Sequence, residues 1–375
     1  MGLTMADRPP YRAEHVGSFP RPDALMDARE AFAAKKISET ELRKVEDAAV
    51  KDIVALQERV GIDAVTDGEY RKAGWRDFLF EKVEGFGDHM PGHDFTFTQF
   101  DGTPWKPAVG ERKAVAKLKR TRPITADDFE ALKKVAHKPV KANLPTPSIA
   151  HAMSGDKSFE HAVYKDRDAY LADIARIYRE EIADLAKRGC TYLQMDEVPL
   201  ALLCDPGNQE IVRKRGEDPA ALIDAYIDVI NDCIRDRPAN MAVAVHMCRG
   251  NIGHGMASGG YEPIAAKMFS TLNVDGFFLE YDTPRAGDFA PLRHLPKPKK
   301  AVLGLLTTKL PEVESADSLK RRIEEASKYA DLDRLALSPQ CGFASAARRG
   351  AGRLSFADVE RKLARVVEVA RQVWG

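Results

Sequence analysis

Eight short, nearly continuous apolar runs alternate with longer amphipathic stretches along this chain, and no other feature constrains its fold as strongly. The runs are EHVGSF (14–19), IDAVTDGE (62–69), PVKANLP (139–145), CTYLQMDE (190–197), MAVAVHM (241–247), DGFFLEY (275–281), KAVLGLL (300–306) and RLALSP (334–339). Such runs suit parallel strands covered on both faces. The stretches between them have helical spacing. In 165–188, Tyr170, Ile174, Ile177, Tyr178, Ile182 and Leu185 share one side. The segment 218–235 repeats the pattern. In 355–374, Ser355 followed by Asp358 predicts a capping box ahead of a stripe through Leu363, Val366, Val367 and Ala370. Eight strand–helix units in 375 residues predict an α/β fold, a (β/α)8 TIM barrel. The barrel is read as one domain over 12–375, after a flexible lead at 1–11. The stretch 84–112, rich in Gly, Phe, Asp and Pro, reads as a segment inserted after the second strand, a hairpin over the mouth. A doubly wound open sheet is the alternative, but no G-x-G-x-x-G follows a strand.

Lys+Arg and Asp+Glu each number 57, so the formal net charge is zero. That balance argues against binding nucleic acid by bulk charge. No apolar run is long enough for a transmembrane helix, and no basic start leads into a secretory signal. Cys190, Cys204, Cys233, Cys248 and Cys341 are too few and too scattered for a disulfide framework. The expectation is a soluble, cytoplasmic protein of enzyme size.

In a barrel the active site lies at the C-terminal strand ends. The runs end, in order, at His15 with Ser18; Asp67 with Glu69; Asn143, Thr146 and Ser148; Asp196 and Glu197; His246 and Cys248; Glu280; Thr307, Thr308 and Lys309; and Cys341. His246 and Cys248 are two apart, so in a continuing strand both point one way. With Glu280 and Cys341 they offer one nitrogen, two sulfurs and one oxygen, a set suited to tetrahedral Zn2+. A buried cysteine beside a core histidine is the competing reading of H-x-C alone. Asp196 and Glu197 read equally as caps of the next helix, and Asp67-Gly68-Glu69 as a turn. His254 reads as a residue of a Gly-rich loop.

HVGSFPRP (15–22), DGEYRKAGW (67–75), YLQMDEVPL (192–200), HMC (246–248), the Glu of FFLEYD (277–282) and SPQCGF (338–343) together resemble the catalytic barrel of cobalamin-independent methionine synthase. The resemblance runs from about residue 12 to the end, with the motifs in the family's order. It implies Zn2+ on His246, Cys248, Glu280 and Cys341. It implies amino-acid contacts from Ser18, Glu69 and Asp196, with His15 and Asp67 in the same motifs. The implied reaction is methyl transfer to the thiol of homocysteine, giving methionine, from a methylfolate or a methylcorrinoid protein. Zinc favours the thiolate, the nucleophilic form of a group whose ordinary pKa is about 8.5.

Three departures accompany the resemblance. The full-length synthase carries two barrels, the second helping to hold the folate tail, and only the catalytic one is recognisable here. The family's proton-donating histidine after the seventh strand is replaced by GLLTTKLPEVE (304–314), where Lys309 stands nearest. Single-barrel relatives include epoxyalkane:coenzyme M transferase, which adds a different thiol to an epoxide. A sulfonate thiol of that kind would call on cations such as Arg71, Lys72, Arg76 or Arg249. Two further rivals are a tetrapyrrole decarboxylase, which needs no zinc, and a scaffold in which the zinc only stabilises the fold.

Overall fold

The computed structural model describes residues 8–90, 95, 97–99, 103–105, 111–250, 255–344 and 354–375. His254 and most of the lead lie outside them. Six of the eight runs each contain a strand of one parallel sheet: β1 (Ala142–Pro145), β2 (Tyr192–Glu197), β3 (Ala242–Met247), β4 (Gly276–Glu280), β5 (Lys300–Leu306) and β6 (Leu335–Pro339). Their order in the sheet is their order in the chain. The fold is α/β, consistent with a TIM-barrel-like catalytic domain.

The runs 14–19 and 62–69 do not form regular strands. They are extended segments joined by single parallel bridges, Ala13 to Leu337, Ser18 to Gly68 and Val65 to Val140. The reason is where their backbone groups bond, since each group must find a partner somewhere. Asn143 Nδ2 and Gln194 Nε2 donate to the carbonyl of Val16 at 2.9 and 2.7 Å. Lys141 Nζ donates to the carbonyl of His15, and Thr66 Oγ1 to that of Gly17 at 2.6 Å. Gln57 brackets Thr66, its amide bonding both the N–H and the carbonyl at 2.9 Å. Side chains here take the bonds that a regular ladder would use.

The strand pleat sorts residues by period two. Tyr192, Ala244, Phe278, Val302 and Ala336 join Val16 and Ala64 in a small apolar cluster of their own, while Leu193, Val243, Val245 and Leu279 belong to the large main core. Beside the small cluster lies a fully buried ion pair, Lys141 Nζ to Glu14 Oε2 at 3.0 Å. Tyr192 donates to Glu14 at 2.7 Å, and the Lys141 ammonium sits 4.6 Å from the centre of the Phe278 ring. Further along these strands, the same face presents Asp196, His246 and Glu280. The apolar floor and the polar groups above it therefore come from alternate residues of the same strands.

The expected helices form, and so does the capping box expected at Ser355. Arg167–Lys187 starts from Asp166, whose carboxylate accepts from the Ala169 N–H, and it buries the side predicted from spacing. Phe356–Trp374 carries the reciprocal Ser355–Asp358 capping box. Val83–Met90 pairs antiparallel with Glu111–Arg120. Between those arms, Phe97–Gln99 pairs with Pro104–Trp105 and with Gly255–Met256 of the stretch after β3. Among the described residues, no helix is long and apolar enough to cross a membrane.

Candidate metal centre

The ends of β3 and β4 and the turn after β6 bring His246, Cys248, Glu280 and Cys341 together. One ligand atom from each lies within 4.8 Å of every other. Cys248 Sγ stands 3.6 Å from Cys341 Sγ. Neither ring nitrogen of the buried His246 has a hydrogen-bond partner. Burial, and then the charge of Cys341, push the Glu280 carboxyl up to about 8. The Cys341 thiol is instead held well below its ordinary range, chiefly by the adjoining Cys248 thiol and then by the His246 ring. A buried imidazole without a partner, two facing sulfurs and a carboxyl resisting ionisation is an arrangement that a divalent cation would satisfy. The soft and borderline donors fit zinc.

Beside this group stands an acidic pocket. Asp196 pairs in register with His246 and is aimed by Gln194, whose Nε2 donates to Asp196 Oδ1 at 2.7 Å. Burial raises its pKa, with His246 opposing. Its neighbour Glu197 has a different task. Glu197 accepts from Thr146, from Ser148 Oγ at 2.6 Å and from the Leu200 N–H at 2.6 Å, capping the helix Pro199–Leu202. Of this acidic pair it is Glu197 whose side chain bonds the start of the next helix.

Glu69 is buried, and desolvation pushes its carboxyl up to about 7, against the pull of Lys72 and Arg21. Its backbone is left-handed at φ 61°, following Gly68 at φ 70°. Such strain in a residue other than glycine costs of order 1–3 kcal/mol and gathers at functional sites. Asp67 holds the turn, Oδ1 accepting the Glu69 N–H at 2.8 Å. Ser18 links the two halves of the region. Its backbone bridges to Gly68, and its hydroxyl packs so closely on Gly342 that a Cβ there would lie 1.9 Å from it. His15 stands apart, between the inward residues Glu14 and Val16. Its buried ring bonds the Ala64 carbonyl at 3.0 Å and packs on Phe19. Lys309 is half-buried and near enough for its charge to act on Cys341 and Asp282.

Of the four cations considered for a sulfonate, only Lys72 stands by the acidic pocket. It is 2 % exposed and donates to the Asn143 carbonyl at 3.1 Å. Arg71 pairs with Glu46 and Asp47, and Arg76 with Glu111. Arg249 bonds the carbonyls of Arg285 and Ala286. Sequence reasoning passed over Gln194, Arg21 and Gln340. For Gln194 the signal was available: it lies two residues before Asp196 and so on the same face.

The family profile described as "Cobalamin-independent synthase, Catalytic domain" matches residues 12–372. The chain belongs to that family. It is 36% identical to "Uncharacterized protein YxjH" of Bacillus subtilis (strain 168) over 369 residues, covering 97% of this chain and 95% of that one. It is 25% identical to "Methionine synthase" of Pyrococcus furiosus over 328 residues, covering 87% and 84%. A Listeria monocytogenes structure assigned as a vitamin-B12-independent methionine synthase superposes with a TM-score of 0.74 at 32% identity, covering 98% of this chain and 99% of that one. These likenesses place the chain in the cobalamin-independent methionine synthase family, whose homologues indicate a methyltransferase.

Proposed function

We propose that this protein transfers a methyl group to the thiol of homocysteine, giving methionine, with Zn2+ held by His246, Cys248, Glu280 and Cys341. The convergence of those four ligand atoms within 4.8 Å, beside two buried carboxylates, carries the reading. The domain is a single (β/α)8 barrel over 12–375 after a lead at 1–11. The bridges from β6 through 12–18 and 63–68 to Val140 support its closure. The antiparallel arms at Val83–Met90 and Glu111–Arg120 support a segment inserted after the second barrel strand. Five cysteines outside any disulfide suit a cytoplasmic location.

When bound, zinc supplies a Lewis acid that favours the substrate thiolate at neutral pH. Glu69 and Asp196 hold the substrate ammonium, and the backbone around Ser18 receives its carboxylate. Asp67 fixes the turn that presents Glu69. The donor is a methylated folate, as the family resemblance implies, and a methylcorrinoid protein finds no support among the relatives. As the methyl carbon leaves its nitrogen for sulfur, that nitrogen takes a proton from Lys309. Lys309→Met should lower turnover by about 100-fold, the usual worth of a general acid. Metal content and methionine binding should be unchanged, as equilibrium dialysis would show.

Metal analysis together with absorption of the cobalt-substituted protein tests the central reading. The expected result is about one metal per chain and a sulfur-to-metal band that strengthens on adding homocysteine. A response to coenzyme M and not to homocysteine would move the acceptor to the sulfonate class. Absence of metal from carefully prepared protein would overturn the zinc assignment.

A further inference from the structure

We propose that Gln340 is a positioning residue for the metal centre, a neutral bridge that aims the Glu280 carboxylate from the far side. This rests on the reading of Glu280 as a ligand. Gln340 is 1% exposed. Its Nε2 donates to Glu280 Oε2 at 3.2 Å. Its Oε1 accepts from both the N–H and the hydroxyl of Thr308, each at 3.2 Å. The other carboxylate oxygen, Oε1, accepts from the Arg249 N–H at 3.2 Å. Both oxygens of the ligand are thus anchored by the protein, one of them through Gln340.

The chemistry of the neighbours selects the residue type. The Thr308 N–H can only donate and an ionised Glu280 can only accept. A primary amide carries one acceptor and one donor group, so it satisfies both at once. The same contacts fix which end of the amide faces the ligand. A glutamate here would set a second carboxylate against Glu280, and a methionine would leave Thr308 and Glu280 without this partner.

The fold gives Gln340 little freedom. Its N–H donates to the Leu306 carbonyl at 2.8 Å, which ties the turn after β6 to the end of β5. Gly304 permits that approach, because a Cβ there would lie 2.7 Å from Gln340 Cα and 2.8 Å from the Leu279 carbonyl oxygen. Cys341, the next residue, is itself a proposed ligand. One residue of the turn therefore governs the presentation of two ligands. Partners that orient metal ligands in this way are typically worth 10–100-fold in metal affinity.

The test is zinc affinity by chelator competition on wild type, Gln340→Met and Gln340→Glu, with the visible spectrum of the cobalt form as a second readout. Folding is checked by circular dichroism on the metal-free proteins. The expected result is a 10–100-fold weaker affinity in both variants, with a shifted cobalt ligand-field band. Gln340→Glu keeps the acceptor for Thr308 and decides the matter if the methionine variant does not fold. Wild-type affinity and spectrum in a folded variant would overturn this inference and leave the metal centre standing. A wild-type protein that binds no metal would overturn both.

Discussion

Cys248→Ser is expected to give a folded protein that holds zinc at least 100-fold more weakly and has no measurable methyl transfer. A serine hydroxyl is a hard, neutral donor, whereas zinc sites of this composition depend on thiolate. The side chain is half-buried and packs against the main core, and serine is close to it in size, so the fold is expected to survive the change. Cys248 is held by backbone, its N–H donating to the Glu197 carbonyl at 2.8 Å, while the main core is built from apolar residues below and around the sheet. Calorimetry of the metal-free variant beside metal-free wild type should therefore give closely matched melting temperatures. A scaffold role for the metal predicts instead that wild type itself loses most of its folding stability when the metal is stripped. Metal-free wild type that is unfolded under conditions where the zinc-loaded protein is folded would support the scaffold.

Glu69→Gln should weaken methionine binding by about 10–100-fold, the worth of a hydrogen-bonded charge at 1.5–3 kcal/mol, and should change its pH dependence. Methionine is the informative probe because its thioether carries no titrating proton. Burial holds the Glu69 carboxyl at about 7, so it is largely protonated at pH 6 and largely ionised at pH 8. An ammonium is gripped by the carboxylate and not by the neutral acid. Wild-type affinity should thus rise with pH through about 7, a proton being released on binding, and the glutamine variant should lose most of that rise. Stability moves the other way. Between the ordinary carboxyl value and about 7 the native state binds more protons than the unfolded chain, so wild type loses stability as pH rises through that window. The full shift corresponds to roughly 3 kcal/mol, at about 1.4 kcal/mol per unit. Calorimetric titrations at pH 6, 7 and 8 would check the binding, and a pH-independent wild-type affinity would remove Glu69 from the ammonium site.

The parts of the fold legible in the sequence were those that depend on local pattern. β1 to β6 lie inside six continuous apolar runs, and Ser355 with Asp358 announced a cap that the structure forms. The runs 14–19 and 62–69 have the same apolar look, yet their bonding partners are Lys141, Asn143 and Gln194, and nothing in periodicity reveals that. The metal-capable set was readable because rare, chemically marked residues fell at strand ends. Glu69 and Asp196 were readable through family motifs. Gln340 was not, since a glutamine does not titrate and is not among the usual zinc donors. Gln340 shows its significance only when Glu280, 60 residues earlier, is set beside it.

The double duty of Gln194 restricts how a lineage of such enzymes can diversify. One amide nitrogen fastens the Val16 carbonyl and steadies Asp196. Retuning that carboxylate through Gln194 for another acceptor would also remove one of the two side-chain bonds to the Val16 carbonyl, in the segment that bridges to β6. Selection for a new substrate therefore meets a penalty in foldedness at this position.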